Sequence, residues 1–241
     1  MSLPVFISDS DAVVGKHITV TGPEGRHAVT VKRITVGERV MLIDGSGTTR
    51  TCLVTATGGK DRMEVVVESI EEIPAPDPRV TIVQAIPKSE RSELTIDLLT
   101  QGGADRIVAW QSQRTIARWT GKEAKSLAKW QTAAETAAKQ SRRATIPEVL
   151  GVVDTAGVEQ LIAESDLAII LHEEASSPFR ELKFSGNVVV IIGPEGGVAP
   201  DEVERFTAAG AHTVKLGPEV LRTASAGMVA LAAIGVLSDR W

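Results

Sequence analysis

Val188-Val189-Val190-Ile191-Ile192-Gly193-Pro194-Glu195-Gly196-Gly197 runs from five β-branched residues straight into a glycine-bracketed turn. Such a run predicts a strand buried on both faces, as in a parallel sheet. A second loop of the same kind, Leu216-Gly217-Pro218-Glu219-Val220-Leu221-Arg222-Thr223, follows the strand-like stretch His212–Leu216. Helical stretches are predicted after each loop, over 200–209 and 223–237. Ligands of open α/β sheets bind outside the carboxyl ends of the strands. Glycine there lets main chain approach a ligand and supplies unusual dihedrals, and a positive φ is expected at Gly196. Two such loops about twenty residues apart predict a pocket walled by backbone. Either loop alone also fits an ordinary strand-to-helix turn.

The same alternation extends back to Arg79. Strands are predicted at Val80–Ala85, Arg106–Trp110 and Leu167–Leu171, and helices near 89–101, 122–141 and 156–164. This order predicts an α/β domain, with a mainly parallel sheet and helices on both faces. Ile73-Pro74-Ala75-Pro76-Asp77-Pro78 carries three prolines in five residues and reads as an extended linker. It separates a domain over 1–73 from one over 79–241. The first reads as a small β-barrel, with strands Ile18–Thr21, Arg39–Asp44, Thr49–Thr57 and Met63–Ile70. Gly45-Ser46-Gly47 and Gly58-Gly59 supply its turns, and Pro23 to Arg33 is predicted as a short helix.

The composition, 43% hydrophobic and 24% charged, is that of a soluble globular protein. Met1 to Ser8 lacks a basic region followed by a long apolar stretch, so a cytoplasmic location is expected. Ala226–Leu237, the longest apolar stretch, is too short to span a bilayer, and no membrane partner is expected. The lone cysteine, Cys52, excludes an intramolecular disulfide and reads as a small core residue. Four scattered histidines show no metal-ligand spacing, so no metal is expected. No Gly-Lys-Ser/Thr loop or Gly-x-Gly-x-x-Gly turn supports a nucleotide triphosphate or dinucleotide.

The net charge of −5 hides an uneven distribution. Arg106 to Arg143 holds nine Lys/Arg against Glu123 and Glu135, about +7, which leaves about −12 elsewhere. A basic block in an acidic protein is an electrostatic footprint for phosphate, and also what a solvated helix face shows. Glu135, Lys139 and Arg142 recur at i, i+4, i+7 and are expected on one helix face. Trp130, Ala134, Ala137 and Ala138 read as core. With only 3% aromatics, any nucleic-acid partner is expected to be held by phosphate contacts and shape more than by stacking.

Gly193-Pro-Glu-Gly-Gly197 followed by Leu216-Gly-Pro-x-Val-Leu-Arg-Thr223 resembles the cofactor loops of the SPOUT methyltransferases, and most closely the RsmE-type enzymes. The resemblance extends through Arg26–Arg33, Gly37–Gly45, Lys88-Ser-Glu-Arg-Ser-Glu-Leu94, Ser112-Gln-Arg-Thr115 and Glu135–Arg143, in order and in both domains. It implies an N-terminal PUA-like RNA-docking barrel and a C-terminal domain with a trefoil knot that holds S-adenosylmethionine. It also implies a homodimer whose knot helices pack together, and methylation of uridine N3 in small-subunit (16S) ribosomal RNA, free or in the assembled small subunit.

The cofactor set that follows is Leu171, Ile192, Gly193, Gly196, Gly197, Leu216, Gly217, Val220, Leu221 and Thr223. Arg222, Arg114 and Glu195 are the catalytic candidates. His27, Lys32, Arg33, Lys88, Arg114, Glu135, Lys139, Arg142 and Arg143 are those for RNA. Two acids common in the family are replaced here, by Gln101 and by Ala224. A SPOUT enzyme with another RNA target, such as transfer RNA, and a non-catalytic RNA-binding or assembly protein are the alternative readings.

Overall fold

The computed structural model describes residues 3–241, which form two compact units. The first holds the residues through Ala75 together with Ala138–Ile146. Its strands are β1 (Val5–Ile7), β2 (His17–Val20), β3 (Arg39–Ile43), β4 (Thr48–Gly58) and β5 (Arg62–Glu72). They make one sheet in the order β1-β3-β4-β5-β2. All pairings are antiparallel except β1 with β3. Every second residue of β4 and β5 points inward, as the two-residue period of a strand requires. Cys52, Val54, Met63, Val65 and Val67 thereby join Phe6 and Leu42 in one core. Burial pushes the Cys52 thiol up to about 11, so it stays protonated.

The helix expected over 23–33 forms in two pieces: α1 (Gly22–Arg26), then one π-helical turn over His27–Val31. Gly25 is required in α1, because a Cβ there would lie 2.0 Å from the Asp61 carbonyl oxygen. Where the predicted turn at 45–47 stands, Asp44 organises the backbone. Its Oδ1 accepts from the Ser46, Gly47 and Thr48 amides at 2.8, 3.1 and 3.0 Å. Burial alone would raise this carboxyl, but the hydrogen bonds from Ser46 and Thr48 outweigh it and hold the pKa at about 2. A folded-state pKa below the unfolded one gives stability that is complete above the unfolded value and lost as pH falls through the folded value. The loss is expected between about pH 4 and pH 2 and amounts to at most roughly 2 kcal/mol, less for the partial exposure of the group. Urea melts across this range should show a shallower acid loss in Asp44→Asn than in the parent protein.

The second unit comprises Pro76–Ala137 and Pro147–Trp241. Its strands are β6 (Arg79–Ala85), β7 (Arg106–Trp110), β8 (Glu148–Val153), β9 (Leu167–Leu171), β10 (Asn187–Ile192) and β11 (His212–Val214). They form a sheet in the order β11-β9-β10-β6-β7-β8, with every pairing parallel. The helices are α2 (Ser92–Gly102), α3 (Glu123–Ser141), α4 (Thr155–Ala163), α5 (Pro200–Ala208) and α6 (Thr223–Val236). The last turn of α3 is grouped with the first unit.

One face of the sheet packs Val83, Val108, Trp110, Ile170 and Ile191 against Val158 and Ile162 of α4 and Phe206 of α5. On the other face α6 packs on β6 and β10 and against α2. At that contact a Cβ on Gly227 would lie 2.3 Å from Leu99 Cδ2 and 2.7 Å from Ile192 Cδ1, so only glycine lets α6 seat there. α6 is apolar on its outer side as well: Val229, Val236 and Leu237 are 42, 73 and 42% exposed. The chain builds β6, β7 and β8 outward in one direction, then crosses to place β9, β10 and β11 on the other side. The order therefore reverses beside β6 and β10, and in a parallel sheet the crevice at that reversal is where ligands bind.

Candidate active site

A cavity of about 900 Å³ opens at this reversal, within the second unit. The loop leaving β10 forms one wall. A Cβ on Gly193 would come within 2.8 Å of Val198 Cγ2, so the chain can fold back on itself only with glycine there. The Gly197 amide donates to the Pro194 carbonyl at 2.9 Å. The positive φ in this loop, +74°, belongs to Gly197 and not to Gly196, which corrects the expectation for Gly196. The turn needs its left-handed residue after the Pro194-Glu195-Gly196 bend, and glycine spacing alone does not distinguish the two.

Leu171 and Ile192, the last residues of β9 and β10, supply apolar wall. Leu216 and Gly217 follow β11, and Val220, Leu221 and Thr223 line the connection into α6. Gly193, Gly196 and Gly197 complete this set on the cavity. Val220 is 74% and Leu221 37% exposed, apolar side chains that the protein itself does not cover. A Cβ on Gly217 would meet only Glu219 Oε2, at 3.9 Å, so its backbone is open to approach.

Charged groups stand at the rim. Arg114, Arg222, Glu195 and Lys88 all line the cavity. Arg114 Nη1 donates to the Gly196 carbonyl at 3.1 Å. Glu195 Oε1 accepts from the Lys88 amide at 3.3 Å, which ties the glycine loop to the end of β6. Arg222 is the N-cap of α6 and its carbonyl accepts from the Ser225 and Ala226 amides. Ala224 is buried in the same lining, whereas Gln101 is exposed on α2 and donates to Asp97. Among the described residues no group of three or more His, Cys, Asp or Glu could hold a metal ion. No helix among them is long and apolar enough to cross a membrane.

Several cavity residues escaped the sequence reading. His172, Glu173, Glu174 and Lys215 line the space, and nothing in their local pattern sets them apart. Glu202 was also missed. It is fully buried near the start of α5, and its only sequence signal is its place three residues after Ala199.

The RNA candidates divide. His27, Lys32, Arg33, Lys139, Arg142 and Arg143 belong to the first unit, and Glu135 belongs to the second without lining the cavity. Lys139 pairs with Glu24, Nζ to Oε1 at 2.5 Å, at 16 and 23% side-chain exposure. Arg142 does not share a helix face with Glu135 and Lys139, because it lies past the end of α3 with φ +57°. The Arg143 amide closes that end by donating to the Ala138 carbonyl at 2.9 Å. Burial, then the neighbouring Lys139, lowers the pKa of His27, which disfavours its charged form.

A family model for the RNA methyltransferase domain matches residues 74–235, and one for the RNA methyltransferase PUA domain matches residues 20–68. The ribosomal RNA small subunit methyltransferase E of Mycobacterium bovis is 44% identical over 98% of this chain and 93% of its own. That of Bacillus subtilis is 30% identical over 92 and 90%. Among solved structures, the same enzyme from Neisseria gonorrhoeae, bound to S-adenosyl methionine, superposes with a TM-score of 0.88, 28% identity and 98% coverage of both chains. A Legionella pneumophila methyltransferase with bound SAM gives a TM-score of 0.87, 26% identity and 98% coverage of both chains. With both domain models matched and curated relatives aligned along nearly its full length, the chain belongs to the ribosomal RNA small subunit methyltransferase E family.

Proposed function

We propose that the protein transfers a methyl group from S-adenosylmethionine to N3 of a uridine in small-subunit (16S) ribosomal RNA, as a cytoplasmic homodimer. The cavity carries the reading. An adenosyl group needs an apolar slot and backbone hydrogen bonds at its edge. Leu171, Ile192, Leu216 and Leu221 offer the slot, and the main chain at Gly193, Gly196, Gly197 and Gly217 offers the edge. At about 900 Å³ the space lies near the top of the range for small-molecule sites and can accept the whole cofactor. The trefoil knot belongs to the same proposal. In its favour, β10 lies between β9 and β6, and α6 returns onto β6 and β10 after the second loop.

Bound S-adenosylmethionine would supply an electrophilic methyl group; the chain's own residues prepare the acceptor. Uridine N3 is a poor nucleophile while it carries its proton, and its loss spreads negative charge onto the flanking carbonyl oxygens. Arg222 and Arg114 can stabilise that charge. Glu195 is the candidate for receiving the proton.

RNA docking is assigned to Lys32, Arg33, Arg142 and Arg143, with Lys88 and Arg114 at the cavity. Arg33 and Arg142 both hold φ +57°, a left-handed conformation that costs a non-glycine residue about 1 kcal/mol. Arginine at a position made for glycine favours a role for its side chain. His27 and Lys139, of the same unit, fit better as the frame of this surface, and Glu135 is not assigned to it. For the dimer, the exposed apolar side of α6 supplies a patch that a two-fold axis would use twice.

Calorimetric titration with S-adenosylmethionine is expected to show saturable binding to a species that sediments at twice 25.6 kDa. Mass spectrometry of 16S ribosomal RNA from a deletion strain is expected to lack one N3-methyluridine, restored by the cloned gene. A protein that binds no S-adenosylmethionine, or a deletion that leaves the modification intact, overturns the activity. An active species of 25.6 kDa overturns the dimer.

A further inference from the structure

Glu202 is an acidic side chain with no solvent exposure, and its oxygens join three separate segments. Oε1 accepts from the Gln113 amide at 3.0 Å and from Thr155 Oγ1 at 3.1 Å. Oε2 accepts from the Ala199 amide at 3.2 Å. A helix start can be capped by an exposed acid at little cost, whereas burying one costs desolvation that only hydrogen bonds recover. Here those bonds close a ring. Gln113 precedes Arg114, Arg114 holds the Gly196 carbonyl, and the glycine loop runs on to Ala199, which returns to Glu202. Asp201 strengthens the ring by accepting from Gln113 Nε2, so Gln113 is gripped by backbone and side chain.

We propose that Glu202 is a positioning residue for methyl transfer: it fixes the Gln113–Arg114 segment against the glycine loop and so presents the Arg114 guanidinium to the cavity in one geometry. The proposal rests on the cavity being the methyl-transfer site. Displacing a catalytic group by about 1 Å can cost about a hundredfold in rate. Burial makes the link stiff, since neither water nor a surface side chain can replace the Glu202 oxygens.

The test uses full-length Glu202→Gln, alone and combined with Arg114→Ala. In the free protein, amide exchange at Gln113 and Ala199 should accelerate in Glu202→Gln. The kcat should fall by about ten- to a hundredfold. In the Arg114→Ala background, Glu202→Gln should change kcat by less than about twofold, because the group it positions is gone. Thr155→Val removes a donor to the same oxygen but lies outside the ring, so it should lower thermal stability and leave kcat unchanged. Should Glu202→Gln not fold, Gln113→Ala with Asp201→Asn weakens the ring from the surface, and a several-fold loss confined to the Arg114 background is expected.

An unchanged kcat, an effect that multiplies with that of Arg114→Ala, or an Arg114→Ala variant with full activity overturns the proposal. Failure of the parent protein to bind S-adenosylmethionine refutes the assignment of the cavity instead, and exchange at Gln113 still reports whether the ring exists.

Discussion

Arg222→Ala is expected to lower kcat for uridine methylation by about 10²–10³-fold, the usual loss when one donor to a developing anion is removed. The backbone of Arg222 caps α6, with φ −65° and ψ 144°, and its carbonyl accepts from Ser225 and Ala226 at 2.9 and 3.0 Å. An alanine keeps all of this, so the helix and the loop before it should stay in place while the exposed guanidinium at the cavity is lost. S-adenosylmethionine affinity should therefore hardly change. Arg222→Lys restores the charge but not the planar fork, and should recover only part of the rate. Single-turnover methylation at saturating RNA and cofactor is the measurement. A kcat within about threefold of the parent would remove Arg222 from the catalytic set.

The largest effect on stability is expected far from the cavity. Arg240 and Asp105 form an ion pair, Nη1 to Oδ2 at 2.7 Å, with both side chains only 9% exposed. Arg240 also donates to the Pro78 carbonyl at 2.5 Å and the Gly103 carbonyl at 2.6 Å. The same Asp105 oxygen accepts from the Val80 amide at 2.8 Å. One guanidinium thus ties the end of the chain to the start of β6 and to the turn between α2 and β7. Arg240→Ala removes a buried ion pair together with the bonds to the Pro78 and Gly103 carbonyls and is expected to cost about 3–5 kcal/mol. For a protein of this size that is a fall of roughly 10 °C in Tm. Arg240→Lys should lose nearly as much, since one ammonium on a flexible stem cannot match three acceptors held in a fork. Urea denaturation followed by far-UV circular dichroism reads the difference. A loss below about 1 kcal/mol would mean that solvent reaches Asp105.

Both predictions concern arginines, but the two were not equally legible. Arg222 stands in a loop that glycine and strand periodicity single out, and the side chains named around it meet on one cavity. Arg240 sits in a polar tail, and nothing local marks it as buried. The elements of the second unit were visible because their signals are local. Runs such as Val188–Ile192 are too uniformly apolar for anything but an interior strand, and the starts of α2, α4, α5 and α6 carry proline or small polar residues. The weak elements were missed for the same reason. β1 has only three residues, and β8 is a half-exposed edge strand interrupted by Gly151. Each is a strand because a neighbour offers it hydrogen bonds, β3 in one case and β7 in the other.

By itself the sequence determined the order of strands and helices in the second unit apart from β8, the apolar character of α6 and the two loops that meet at the cavity. Periodicity and turn chemistry act over a few residues and need no partner. Tertiary structure alone decided which glycine takes the positive φ, that Arg142 leaves the face of Glu135 and Lys139, and that Lys139 pairs with Glu24. It alone placed Glu202, an acid in a run that reads as exposed helix, at the junction of Gln113, Thr155 and Ala199. Those outcomes depend on groups up to 115 residues apart in the chain, and the energy of a buried charge or a left-handed residue is set by what surrounds it, not by its neighbours in sequence.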